Sequence, residues 1–80
     1  MTIRLLAFGI ARDILGSREM TYQLQRGNTI QDLKRALSTQ FNEFERLSSL
    51  SCAVNTSYVQ DDYVLHSNDE VVLIPPVSGG

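Results

Sequence analysis

The sequence predicts an α+β domain: a mixed sheet of about four to five strands with one main helix packed on one face. Three observations predict it. Apolar residues alternate with period two near the start of the chain and again over residues 20–24. One long stretch, beginning at Thr29, carries apolar residues at helical spacing behind a strong N-cap signal. A nearly uniform apolar run, Val71-Val72-Leu73-Ile74, stands directly before two prolines. Two strands, one capped amphipathic helix and then shorter strands form an α+β layer.

Residues 2–8 open as a strand, with Ile3, Leu5 and Ala7 on one face and Arg4, Leu6 and Phe8 on the other. Gly9 breaks it. Ile10 with Ile14, and Ala11 with Leu15, have helical spacing, and Gly16 would end such a turn. Residues 20–24 read as a half-buried strand and Arg26-Gly27-Asn28 as a turn. Thr29 then caps a helix, with Asp32 three residues on as its reciprocal partner and as a charge suited to the positive end of the dipole. Ile30, Leu33 and Leu37, with Ala36 between, make one apolar face; Phe41, Phe44 and Leu47 prolong the period through an irregular or second short helix. Residues 51–55 form a short strand, Asn55-Thr56-Ser57 a turn and residues 58–59 a return strand. Residues 61–69 are loop, with one helical turn around residues 63–65. His66-Ser67-Asn68-Asp69 is turn chemistry in which Asn68 tolerates a left-handed backbone. Residues 70–74 form a central strand, ended by Pro75 and Pro76, which cannot donate to a ladder.

The strands from the two ends of the chain are the most apolar, so they pair in the middle, with residues 20–24 and the return strand outside. This is the β-grasp arrangement seen in ubiquitin. One helix covers only one face of such a sheet. Leu6, Phe8 and part of the 71–74 run are left without a cover, which marks a partner surface. Residues 1–74 are the domain and residues 75–80 an extended tail.

With 80 residues the chain buries only about 60–65% of its unfolded surface. A domain this thin is not expected to hold by itself an enzyme's concave pocket of ~300 Å³ or more. At 42% hydrophobic and 20% charged, disorder over the whole length is excluded. A net charge of −2 excludes the electrostatic footprint of a nucleic-acid binder. Every Lys and Arg lies at or before Arg46, whereas Asp61, Asp62, Asp69 and Glu70 follow it: a solvated face, or a C-terminal third that docks to a basic surface. Cys52, the only cysteine, permits no intramolecular disulfide and no multi-cysteine metal site, and in an apolar strand it reads as filler. His66 alone makes no metal site, Asp61-Asp62 reads as surface without partners, and Gly9 and Gly16 form no phosphate loop. The apolar run 5–11 lacks the flanks of a signal peptide and falls short of the ~20 residues that span a bilayer, so a cytoplasmic chain without membrane contact is expected.

The tail is the most informative stretch. At about 7% glycine usage, a Gly-Gly ending arises by chance in roughly 0.5% of chains. Two prolines hold the exit stiff and extended, and four further residues reach at most ~13–14 Å. Gly79 and Gly80 have no side chains, so the tail can thread a narrow channel and present a carboxylate inside another protein. That carboxylate, with a pKa near 3.5, is ionised and a poor electrophile, so chemistry there demands activation. Adenylation by ATP is the usual route. A sulfur nucleophile would then leave a thiocarboxylate, and an enzyme cysteine followed by a lysine amine would leave an isopeptide conjugate.

The run Ile74-Pro75-Pro76-Val77-Ser78-Gly79-Gly80 resembles the terminus of the molybdopterin synthase small subunits, the sulfur carriers of molybdenum cofactor biosynthesis. Residues 8–16 (Phe8-Gly9-Ile10-Ala11-Arg12-Asp13-Ile14-Leu15-Gly16), Ala53-Val54-Asn55 and Asn68-Asp69-Glu70-Val71 are similar to that family too, so the resemblance spans essentially the whole chain. Asn68 stands where the family often has glycine, and Asp13 where glutamate is more usual. The resemblance implies that Gly80 is adenylated by an ATP-dependent, ubiquitin-activating-like adenylyltransferase and converted to a thiocarboxylate with sulfur from a donor protein. Pro75, Pro76, Val77, Ser78 and Gly79 would carry it into the synthase large subunit, where the sulfur attacks cyclic pyranopterin monophosphate to build the dithiolene. It further implies no cofactor or metal on this chain, ATP being used by the activating enzyme. Catalytic Lys and Arg belong to the large subunit, in a heterotetramer with two of each subunit. Leu6, Phe8, Arg12 and Leu73 are the candidate interface residues; Arg12 is either that or a local helix ion pair.

Two other readings stay open. Sulfur carriers for thiamine thiazole or transfer-RNA thiolation also end in Gly-Gly, but their approach to it generally lacks Pro-Pro-Val. A ubiquitin-like modifier or binding module is the third, and Lys34, the only lysine, would limit chain growth to itself or the N-terminus.

Overall fold

In the computed structural model, which describes residues 1–47 and 50–75, the chain runs β1 (Thr2–Ala7), α1 (Gly9–Leu15), β2 (Glu19–Gln23), α2 (Ile30–Gln40), a 3₁₀ helix (Asn42–Arg46), β3 (Ser51–Val54), β4 (Ser57–Val59) and β5 (Glu70–Ile74). The five strands form one sheet in the order β2-β1-β5-β3-β4. β1 and β5 are parallel neighbours at its centre, with Leu5 opposite Val71 and Ala7 opposite Leu73; the other pairings are antiparallel. The two chain ends therefore do pair in the middle, and β2 and β4 are the edges.

Local chemistry sets the boundaries. Phe8 is extended before α1, and Gly16, at φ +74°, closes that helix as its N–H donates to the Arg12 carbonyl at 2.8 Å. Thr29 and Asp32 form a complete capping box. The Asp32 N–H donates to Thr29 Oγ1 at 3.2 Å, and the Thr29 N–H donates to Asp32 Oδ2 at 3.0 Å. Asn55 and Thr56, at φ 48° and 78°, form the two-residue turn between β3 and β4. Asn68 adopts φ 70° before β5. The expected helical turn at residues 63–65 is absent: Val64 forms an isolated antiparallel bridge with Thr29, and the Leu65 N–H donates to the Asn28 carbonyl at 2.6 Å. Extending the backbone there lets buried Leu65 enter the core and ties the last loop to the start of α2.

That core lies between the sheet and the helices. Ile3, Leu5 and Ala7 of β1, Val71 and Leu73 of β5, and Ile30, Leu33 and Leu37 of α2 are all fully buried. Cys52 and Val54 of β3 face the same way, opposite Leu73 and Val71. Phe44, on the 3₁₀ helix, is buried with its ring edge-on to Phe41, centroids 6.2 Å apart.

Candidate functional site

Because β1 and β5 run parallel and in register, both end at the same border of the sheet. The chain that follows β5 therefore leaves beside Phe8 and Gly9. Half-buried Pro75 stands at this exit. A Cβ on Gly9 would meet Pro75 Cγ at 3.8 Å, an ordinary contact, so the demand for glycine at position 9 comes from its φ of +56°. Pro76, Val77, Ser78, Gly79 and Gly80 lie outside the described residues.

The sheet face opposite the helices borders this exit. Side chains alternate along each strand, so residues one step from the core residues point outward. The register then places Glu19, Leu6, Val72, Ala53 and Tyr58 in one row across all five strands. Beyond that row, toward the exit, Ile74 continues the outward set on β5, and extended Phe8 continues it on β1. Leu6, Val72 and Ile74 are half-buried, whereas Phe8 is 52% exposed and Tyr58 73%. Ile10, in the first turn of α1, is exposed as well. On the side away from the exit the patch is bounded by charge: the Arg4 guanidinium pairs with Glu19 on β2 and lies 3.7 Å from Glu70 on β5. An apolar patch with a charged border is suited to hold a partner.

The residues singled out from sequence divide. Leu6 and Phe8 lie on this face. Leu73 does not: it is fully buried against the core, because its register with Ala7 turns it inward, and no partner can reach it. Val72 and Ile74 take its place. Arg12 is exposed on α1, outside the cross-strand row, and makes no ion pair with a described residue. Tyr58, Ala53 and Ile10 belong to the patch or its margin and were not foreseen. For Tyr58 a signal existed, an aromatic two residues after the Asn55-Thr56 turn.

Other candidate groups do not add to the site. Burial pushes the Cys52 thiol up to about 11, so at neutral pH it is an uncharged core group, not a sulfur nucleophile. His66 is exposed, its Nδ1 3.9 Å from Asp69 Oδ2. Asp61 was expected to lack partners, yet its Oδ1 accepts from Lys34 Nζ at 2.7 Å, a contact between loop and helix that no local pattern signals. Among the described residues no three His, Cys, Asp or Glu side chains are grouped to hold a metal ion, and no helix is long and apolar enough to cross a membrane.

Comparison with known proteins places this geometry. The sequence model of the ThiS family matches residues 5–80. A Chlamydomonas reinhardtii protein named molybdopterin synthase sulfur carrier subunit is 34% identical over 83 aligned positions, covering 100% of both chains. Among solved structures, a Pyrococcus furiosus protein provisionally assigned as molybdopterin converting factor subunit 1 superposes with a TM-score of 0.84 at 24% identity, covering 96% of this chain and 99% of its own. A complex of subunits 1 and 2 of molybdopterin-converting factor from Helicobacter pylori 26695 matches with a TM-score of 0.66 at 23% identity, all of both chains being covered. At these identities the two structures speak to the β-grasp fold.

Proposed function

This chain belongs to the ThiS family, and from that premise we propose that it is the sulfur-carrier subunit of a molybdopterin synthase. The observation that carries the reading is a relationship that runs through the last residue, Gly80, with the carrier named in Chlamydomonas related over its whole length. The outer apolar patch beside the exit of the chain supports a docked mode of action.

In this reading Gly80 is the reactive end. Its carboxylate attacks the α-phosphorus of ATP on the adenylyltransferase, pyrophosphate leaves, and the acyl carbon becomes electrophilic. The terminal sulfur of a donor protein's persulfide then displaces AMP to give an acyl disulfide. A second thiol cleaves its S–S bond, releasing the thiocarboxylate and ending as a disulfide with the donor cysteine. Docked on the large subunit, the tail from Pro75 to Gly79 carries that sulfur to cyclic pyranopterin monophosphate. The sulfur bonds to a substrate carbon as the oxygen substituent there departs with the C–O bonding pair. Water cleaves the resulting thioester, leaving the sulfur on the substrate and restoring the Gly80 carboxylate. One carrier delivers one sulfur per cycle, so a dithiolene needs two deliveries, which suits an assembly with two of each subunit. The chain itself contributes no catalytic side chain and binds no cofactor, and it works in the cytoplasm. The Helicobacter pylori complex of the two subunits supports a large-subunit partner.

The test is an intact-mass measurement. Incubated with ATP, an activating enzyme and a sulfur donor, the protein is expected to gain the mass difference between one sulfur and one oxygen atom. Deletion of Gly80 is expected to abolish the gain. Conjugates through lysine would identify a modifier instead, and an unchanged mass a binding module. Conversion of cyclic pyranopterin monophosphate with the large subunit separates this carrier from those of thiazole and transfer-RNA thiolation.

A further inference from the structure

A second concave surface lies away from the tail, between the free edge of β2 and α2. It is a surface groove of about 610 Å³, larger than a domain of this size was expected to hold. Asp32, Arg35, Ala36, Thr39 and Gln40 form its helical wall, at the i, i+3, i+4, i+7 and i+8 spacing of a single helix face. Tyr22 is its floor, with the hydroxyl donating to Gln40 Oε1 at 3.2 Å. Gln23 and Arg26 stand on the strand side.

The open part of the β2 edge runs from Gln23, which lines this groove, to Thr21 just beyond it. The Ala7 N–H donates to the Arg18 carbonyl and the Leu24 N–H to the Met1 carbonyl. In an antiparallel ladder this alternation turns the N–H and C=O groups of Glu19, Thr21 and Gln23 away from β1. At Glu19 both groups are already served by Ser17 Oγ, which donates to the carbonyl at 2.7 Å and accepts from the N–H at 3.4 Å. At Thr21 and Gln23 no described residue meets them. The two residues are spaced one β period apart, about 6.6 Å, which is the repeat of another extended chain.

Charge narrows the occupant. Asp32 is engaged in the helix cap, accepting from the N–H groups of Asn28 and Thr29. Arg26 and Arg35 are exposed and pair with no described carboxylate. With Arg26 and Arg35 against the single carboxylate of Asp32, whose charge Arg35 also favours, the groove lining stays net positive beside the open strand edge. It suits an anionic extended chain, although the protein as a whole carries −2. We propose that this groove binds an acidic, extended peptide segment of a partner protein, which adds as a strand along Thr21 and Gln23 and sets its carboxylates against Arg26 and Arg35. β5 ends at the opposite end of β1, next to Ala7, whereas the open edge lies toward Thr2, so the two borders of the sheet can be engaged at once.

The test titrates the full-length, ¹⁵N-labelled protein with the capped peptide Asp-Val-Ile-Val-Glu at low salt. Saturable shifts with slowed amide exchange at Thr21 and Gln23 are expected. N-methylating the peptide amides that face β2 is expected to remove binding, and methylating the alternate set to leave it. Combined Arg26→Glu and Arg35→Glu changes, at exposed positions, should weaken binding about tenfold or more. Arg26→Gln with Arg35→Gln should give a smaller loss in the same direction, with chemical-shift dispersion reporting the fold. The proposal is overturned by no saturation at millimolar peptide, by shifts confined to Leu6, Val72 and Tyr58, or by equal binding of a peptide with lysine at both acidic positions. Protection of Thr21 and Gln23 that rises with protein concentration alone would also overturn it, because a second copy would then own the edge.

Discussion

The two faces of the sheet are made from alternate residues of the same strands, yet they meet different fates. On the inner face Ile3, Leu5, Ala7, Val71 and Leu73 are fully buried beneath α2 and the 3₁₀ helix. On the outer face Leu6, Val72 and Ile74 are half-buried, and Tyr58 and Phe8 are largely open to solvent. Both faces are rich in hydrocarbon. What separates them is the cover: a single helical layer can protect one side only. Burial of the inner side chains drives folding. The outer ones contribute little to it, and their apolar surface remains for association.

Neighbouring substitutions in β5 break or sharpen this contrast most strongly. Leu73→Ala is expected to cost about 2–5 kcal/mol of stability in denaturant unfolding. Val72→Ala, one residue away, should cost less than ~1 kcal/mol, because its site is half open and collapses into solvent; equal losses would erase the distinction. Phe8→Asp should act the other way round. It is expected to weaken binding to a large synthase subunit by about 2 kcal/mol, as a central aromatic contact does, while leaving the unfolding midpoint nearly unchanged. Calorimetric titration and denaturation of the same sample check both halves of that statement. Thr29→Ala, which removes the cap of the helix that covers the inner face, should lower stability by about 1 kcal/mol and leave large-subunit docking intact.

The smallest expected effect is one of pH. Hydrogen bonds from the Thr29 N–H and hydroxyl, and then from the Asn28 N–H, hold the Asp32 carboxyl below the usual carboxylate range. A depressed folded-state pKa contributes stability that is present above the unfolded value of about 3.9 and is lost as pH falls through the folded one. The stability difference between the native protein and Asp32→Asn should therefore shrink as pH drops below about 4, measured by denaturation at stepped pH. The outer patch row has no such cap to lose, so Val72→Ala should show no matching trend.

Most of the fold was legible because its signals are local. The Thr29–Asp32 box, the left-handed Gly16 and Asn68, the Asn55-Thr56 turn and the strand stop at Ile74 before Pro75 each act within a few residues, and each appears where its chemistry places it. The patch was half legible. Leu6 and Phe8 follow from alternation beside Arg4, but Val71–Ile74 is apolar throughout, and no internal contrast says which residues turn inward. That choice rests on pairing with β1, some 66 positions earlier in the chain, since Leu5 faces Val71 and Ala7 faces Leu73. The Val64–Thr29 bridge and the Lys34–Asp61 pair were hidden for the same reason.

Taken alone, then, the order of residues determined where elements start and stop, which helix face is apolar, that the chain ends are central strands, and the character of the tail. Those properties depend on backbone conformations and side-chain periods that neighbours impose on one another. Only the tertiary structure decided which side of β5 became core, which became the partly exposed outer face, and that the β2 edge lies open beside Arg26 and Arg35. These depend on register and on which surfaces the helices happen to cover, and both are set by contacts between segments far apart in the chain.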